Sequence, residues 1–465
     1  MKTRSHLRKH LLKQIVGSND MGKGVVYICH HIDTEGPLWE NIEELFDRLD
    51  LIYGIKLEPT YENLEKLQKG EIEVDESIKE SLALTIDPHT IGFKRNWGMI
   101  EEMLYRIMSS EFRNKMTDSF GGGWVYNWHC MDHVGFGNVN PRHRDYGYHN
   151  VLDFYRYMID VTKSHQDSIH WHFHPIPFYK EANVPATSFD NSMPVLLDII
   201  THRLIDRHMF PVVNRSGFHT ERIDSNFFFE QWIPFDPSCQ SVAENAQPKG
   251  QRDLINGRYG DWRGAPSDWS MYHPDFYDWR REGNMNRWLA RILNLLSRHR
   301  SITEEEIEKA FVKAENGENV YLGITDHDWR EMSEEVDDFR EKLQKVVAKY
   351  PDVKFKFSET VEAFRKVIGY SEEEILKNKV DFKAEFIDNI LHVEITNGEP
   401  FGPQPYLAIK TKTGGYFHDN FDFQEYKKSY TYVFDAYTIP KDTIEKVMVA
   451  VNDKYGNQCI KEVKM

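Results

Sequence analysis

Between Val25 and Phe357 short apolar runs alternate with segments of helical period, and this alternation restricts the fold more than any other feature of the chain. The apolar runs predict strands at Val25–Cys29, Trp124–Trp128, Ile169–Phe173, Phe210–Val213, Trp232–Phe235, Val320–Ile324 and Val353–Phe357. The intervening periodicity predicts helices at Ile100–Met108, Val151–Val161, Met193–His208, Trp288–Leu296, Glu304–Ala314 and Val336–Ala348. Strand–helix alternation of this kind builds a parallel sheet with crossover helices. Some seven strands in one domain length favour closing that sheet into a barrel.

After Gly369 the pattern changes. Ile390–Thr396, Tyr406–Thr411, Tyr430–Tyr437 and Val447–Val451 are short alternating runs, with turn signals at Asn397-Gly398 and Gly414-Gly415. They predict a small antiparallel, sandwich-like β domain over residues 381–465, joined to the barrel through 370–380. The α/β barrel is expected over 24–370, and residues 1–23 form a basic N-terminal segment.

A net charge of −16 repels phosphate-rich partners, so nucleic acid is not expected to bind. There is no run of about 18 apolar residues, so no membrane span is expected, and the N-terminal apolar stretches are too short for a secretory signal. The 4 cysteines form no C-x-x-C pair. Their scarcity fits a reducing compartment, and the expected location is cytoplasmic.

The 21 histidines cluster, and the clusters follow the predicted strands, where a parallel barrel gathers its catalytic groups. In Ile169-His170-Trp171-His172-Phe173-His174-Pro175 all three histidines share one face of a strand. Imidazole is the usual nitrogen ligand for zinc and similar ions, so this is the strongest metal signal in the chain. In His30-His31-Ile32-Asp33-Thr34-Glu35-Gly36 two carboxylates two residues apart point the same way, one able to bind metal and the other to move a proton. Arg215, in Asn214-Arg215-Ser216-Gly217, can hold a carboxylate through a bidentate fork. Asp236 begins a further acidic segment. An aromatic stretch follows that includes Trp262 and Arg263 and reads as a substrate-covering loop. His327 lies between Asp326 and Asp328, whose charge is expected to raise its pKa and suit it to general-acid work, while either aspartate can instead cap the next helix. Trp128, His129, Asp132 and His133, with the run over 140–144, can line the substrate site.

Taken in order, these segments resemble the polysaccharide deacetylase (NodB-type carbohydrate esterase) family over roughly residues 24–370: an acidic pair, H-x-x-x-H-P, an Arg turn, an Asp segment and a late strand ending in His. The resemblance implies a distorted (β/α)7 barrel and a metal-dependent hydrolase that removes N-acetyl groups from a carbohydrate, such as a glycan precursor in surface-polysaccharide metabolism. It implies Asp33 as general base, positioned by Arg215, and His327 as general acid, with Asp236 in the catalytic set. His170 and His174 are the implied metal ligands, with Glu35 as the third, for Zn²⁺ or alternatively Co²⁺, Ni²⁺ or Mn²⁺. The acids read Asp-Thr-Glu, where the family has adjacent aspartates, so the ligand is either Asp33 or Glu35. The additional His172 either replaces a ligand or bonds behind one. Two other readings compete: a metal hydrolase of the PHP or amidohydrolase type, to which Thr325-Asp326-His327-Asp328 and His170-x-His172 have likeness, and a glycan-binding barrel without turnover.

Overall fold

The computed structural model describes residues 22–134, 145–175, 192–243, 250–252 and 260–465. The basic segment, except for its last two residues, and the run over 140–144 lie outside them.

The eight parallel strands of the first sheet are β1 (Val25–Thr34), β2 (Tyr126–Met131), β3 (Ser168–Phe173), β4 (Asn214–Ser216), β5 (Phe235–Cys239), β6 (Trp288–Asn294), β7 (Val320–His327) and β8 (Lys354–Phe357). Their order is β4-β3-β2-β1-β7-β6-β5, and a parallel bridge from Val213 to Phe235 joins the two ends into a nearly closed seven-stranded barrel. The eighth strand, β8, pairs with Val25–Ile28 of β1, below the point where β2 joins at His30.

Alternation along β1 sets the two sides of the wall. Val26, Ile28 and Ile32 face the helical layer, where α4 (Trp97–Ile107), α6 (Asn150–Thr162), α9 (Glu304–Glu315) and α10 (Met332–Lys349) supply Ile100, Leu152, Ile307 and Phe339 to the core. Tyr27 and Cys29 face inward and pack with Phe235, Ala290 and Tyr321. Ala363 and Phe364 of α11 (Thr360–Ile368) join them as an apolar floor. Between β1 and α4, the helices α1 (Ile42–Tyr53), α2 (Tyr61–Gln68) and α3 (Lys79–Thr85) form a small core of their own. Other described helices are α7 (Met193–Arg207) and α8 (Ile223–Glu230), with α5 (Ser110–Arg113) and α12 (Glu372–Lys377) as short connectors.

Two expectations need correction. The segment predicted as a helix at Trp288–Leu296 is strand β6. Its residues are buried on both sides of the wall, so the apolar run is nearly continuous and periodicity cannot separate strand from helix. The strands expected at Phe210–Val213 and Trp232–Phe235 begin later, at Asn214 and Phe235. Their working ends carry polar side chains into the interior, which hides them from an apolar pattern.

After Val380 come two four-stranded antiparallel sheets. One contains β9 (Asp381–Ile387), β10 (Ile390–Asn397), β13 (Asp422–Glu425) and β14 (Ser429–Val433). The other contains β11 (Tyr406–Thr411), β12 (Tyr416–Asp419), β15 (Ile444–Asn452) and β16 (Gln458–Glu462). Leu391, Val393 and Ile395 of the first sheet meet Leu407, Ile409, Val447 and Val449 of the second. The opposite face of the second sheet is also covered: Tyr406, Ala408, Met448 and Ala450 pack against Leu196 and Ile200 of α7, with Phe228 and Trp232. Asn452 adds polar fastening, donating to the carbonyls of Pro211 and Trp232. Tyr406 lies 5.2 Å from the rings of both Phe210 and Trp232, and its hydroxyl donates to the Leu197 carbonyl at 3.0 Å. Tyr406→Ala should therefore cost about 3–5 kcal/mol, read by chemical denaturation. The half-exposed Phe423→Ala should change stability by less than about 0.5 kcal/mol.

Candidate metal centre

The polar groups gather at the carboxyl ends of the barrel strands. Asp33 ends the inward-facing row of β1. Arg215 of β4 reaches across and clamps it, Nε to Oδ1 at 2.6 Å and Nη2 to Oδ2 at 2.7 Å. Both groups are buried. Burial alone would raise the Asp33 carboxyl, but the Arg215 guanidinium beside it holds it below its usual value, so it remains ionised at neutral pH.

Glu35, His172 and His174 form the buried group that can hold a metal ion, their ligand atoms all within 4.8 Å of one another. His174 Nε2 is 2.9 Å and His172 Nε2 3.6 Å from Glu35 Oε1. The donor chemistry suits a divalent cation. His172 Nδ1 donates to the Arg215 carbonyl at 2.7 Å, which fixes the tautomer and leaves the Nε2 lone pair directed at the cluster. Glu35 is held through its backbone on two sides. His133 Nε2 donates to its carbonyl at 2.6 Å, and Asp328 accepts the Glu35 and Gly36 amides at 3.0 and 2.9 Å, and the Tyr155 hydroxyl at 2.9 Å. His174 lies so close to Gly217 that an added Cβ there would stand 2.2 Å from the imidazole.

This geometry departs from the expected ligand set in one place: His172, rather than His170, completes the group. His170 lies deeper, its Nε2 2.8 Å from Ser168 Oγ and 3.2 Å from Glu359. Barrel strands tilt by about 36–45°, so neighbours in hydrogen-bond register are not at the same height. Two strand spacings across, the offset amounts to about two residues. By pairing, Asp33 is in register with His129 and His129 with His170, yet Asp33 lies 3.6 Å from His172.

His327 lies opposite, its Nε2 3.9 Å from Asp33 Oδ2 and its ring 4.7 Å from Trp329. The expected rise in its pKa is reversed. Burial, with Arg330, Arg215 and His172 nearby, outweighs Asp33 and keeps the imidazole neutral. The flanking aspartates turn away. Asp326 accepts from Arg330 at 2.8 Å, Asp328 fastens the Glu35 turn, and α10 is capped by Glu331 instead.

The other expected site residues have different surroundings. The Asp236 carboxylate accepts from Arg287 at 2.6 Å and Asn214 at 3.3 Å, away from Asp33, and shares Arg287 with Glu221. Trp128 faces the helical layer and donates to Asp167. Asp132 is paired with Arg203. His129 belongs to a chain inside the barrel, its Nε2 2.8 Å from His31 Nδ1, with His31 Nε2 2.7 Å from the Tyr321 hydroxyl. Trp262 is buried, donating to the His219 carbonyl at 2.9 Å, and Arg263 is exposed and paired with Asp261. Of the substrate-binding set, His172 belongs to the cluster itself and His133 adjoins it. Sequence reading did not single out His219, whose Nδ1 accepts from Arg215 at 3.1 Å; its place four residues after that arginine is the signal it left.

Comparison of the chain with family models, curated proteins and solved structures finds no match for it. The reading of the site therefore rests on its own residues.

Glu35→Gln or His172→Ala should remove one equivalent of retained Zn²⁺ per chain, whereas His170→Ala should leave the metal content unchanged, measured by elemental analysis after desalting. A pH effect follows from His30, which faces the helical layer, accepts from Trp124 Nε1 at 3.0 Å and is pushed down to about 3 by burial and by Arg340. The unfolded chain binds this proton near pH 6.5 and the native chain only near 3. Stability is thus full above 6.5 and falls as pH drops through this range, by at most about 1.4 kcal/mol per pH unit from this group. His30→Met should flatten the fall by up to one proton in the pH dependence of denaturant midpoints.

Proposed function

We propose that this chain is a metal-dependent hydrolase that removes N-acetyl groups from a carbohydrate. The observation that carries the reading is the ionised Asp33, clamped by Arg215, between the Glu35/His172/His174 group and His327 at the mouth of a parallel barrel. A divalent cation held by Glu35, His172 and His174 would polarise the acetyl carbonyl as a Lewis acid. Asp33 accepts a proton from the attacking water, and Arg215 keeps both its oxygens oriented for that step. His327, on the far side of Asp33, delivers a proton to the departing amine. Its neutral state requires that it first receive the proton that Asp33 took up; the two groups stand 3.9 Å apart, and closing to hydrogen-bond distance with substrate bound would allow that transfer.

The order of these residues along the chain is that of the polysaccharide deacetylase pattern, which supports an N-acetylated sugar as substrate. The PHP-type reading receives less support, because Asp326 and Asp328 are engaged with Arg330 and the Glu35 turn rather than facing the cluster.

Acetate release from N-acetylglucosamine oligomers by the Zn²⁺- or Co²⁺-loaded protein tests the proposal. His327→Asn should lower kcat by roughly 10²–10⁴ with little change in KM, and Asp33→Asn should do the same with the metal retained. Sugar binding without acetate release from the loaded protein would leave the glycan-binding reading instead.

A further inference from the structure

A second group of potential ligands lies away from the barrel mouth, where α7 meets the C-terminal sheets. His149, His202 and Asp206 bring two imidazole nitrogens and a carboxylate oxygen within 4.8 Å of one another. Asp206 is the hub. Its Oδ2 lies 3.0 Å from His149 Nε2 and 3.4 Å from His202 Nδ1, and its Oδ1 accepts the Tyr416 hydroxyl of β12 at 2.9 Å. Ligands at about 2.0–2.1 Å from a tetrahedral zinc stand roughly 3.3 Å apart, so these separations match the edges of such a site.

The surroundings orient each ligand. Asp198, His202 and Asp206 are four residues apart in turn and share one face of α7. Asp198 Oδ1 lies 3.6 Å from His202 Nε2, just beyond hydrogen-bond length, where its charge favours a proton on that nitrogen and leaves Nδ1 to ligate. The His202 ring is stacked between Tyr148 and Tyr416, with centroids 3.8 and 3.6 Å away. His149 is buried and sits at φ +66°, a conformation costly for a residue other than glycine. Its amide donates to Asp132 at 2.8 Å, and Asp132 is in turn held by Arg203 of α7.

We infer that His149, His202 and Asp206 form a second, structural site for a borderline divalent cation such as Zn²⁺, Co²⁺ or Ni²⁺, oriented by Asp198 and fastening α7 to β12 through Tyr416. Two imidazoles and one carboxylate favour these ions over Ca²⁺ or Mg²⁺, which prefer all-oxygen sites.

The test uses the full chain with the barrel cluster removed by Glu35→Gln/His174→Ala, so that its result does not depend on the proposed function. After loading with Zn²⁺ and desalting, this variant should retain about one equivalent. Excess Zn²⁺ should raise its thermal midpoint by about 3–5 °C at a hundredfold excess over Kd. Adding Asp206→Asn or His202→Gln should abolish both effects, and Asp198→Asn should weaken binding roughly 10–100-fold. A folded variant, by circular dichroism, that retains no Zn²⁺, or retention indifferent to Asp206→Asn, overturns the site and leaves a hydrogen-bonded cluster. Should the double variant not fold, the unsubstituted chain decides between the same outcomes: His202→Gln should reduce two equivalents to one, and an unchanged content refutes the inference.

Discussion

The buried pairing of Asp33 with Arg215 is the interaction around which the barrel mouth is organised. Removing either charge from water costs several kcal/mol, and only close bidentate geometry offsets it. The guanidinium can reach Asp33 only if β4 stands across the interior from β1, so barrel closure and the ion pair require each other. Arg215 does more than neutralise Asp33. Its carbonyl fixes the His172 tautomer, and its Nη1 bonds His219. Glu35 adds a second buried carboxylate beside a single guanidinium. These three groups are then formally negative, which suits a cationic ligand at that mouth.

Beneath this charged level the interior changes character in layers. Tyr321, His31 and His129 form a hydrogen-bonded middle level, with His170 and Glu359 at its side. Below it, Tyr27, Cys29, Phe235 and Phe364 form the apolar floor. His31 and His129 are neutral, because burial opposes their protonation and, among the described residues, no carboxylate faces either closely enough to reverse that. The motif richest in histidine thus serves two levels: His170 belongs to the packed interior and His172 and His174 to the mouth.

The C-terminal sheets are bound to the barrel by the same alternation that builds any strand. In Tyr406-Leu407-Ala408-Ile409 the even-numbered residues face the barrel helices and the odd-numbered ones face the partner sheet. The barrel-facing row is Tyr406, Ala408, Met448 and Ala450, packed against Leu196 and Ile200 of α7. His202 and Asp206, on the same helix, are brought beside Tyr416 by this contact.

Much of this was legible in the residues themselves. Strand–helix alternation marked the barrel, the change after Gly369 marked the antiparallel sheets, and Asp33, Glu35, His174, Arg215 and His327 stood out because strand ends concentrate polar chemistry. Strand β6 was hidden by burial on both faces. Asp236 and Trp128 were misplaced because a residue's type does not say which side of the wall it faces. The sequence by itself determined which side chains share a strand face, since alternation is local. Only the tertiary structure decided which of His170, His172 and His174 meet Glu35, because strand tilt sets the height at which residues from different strands face one another, and that shear is a property of the closed barrel as a whole.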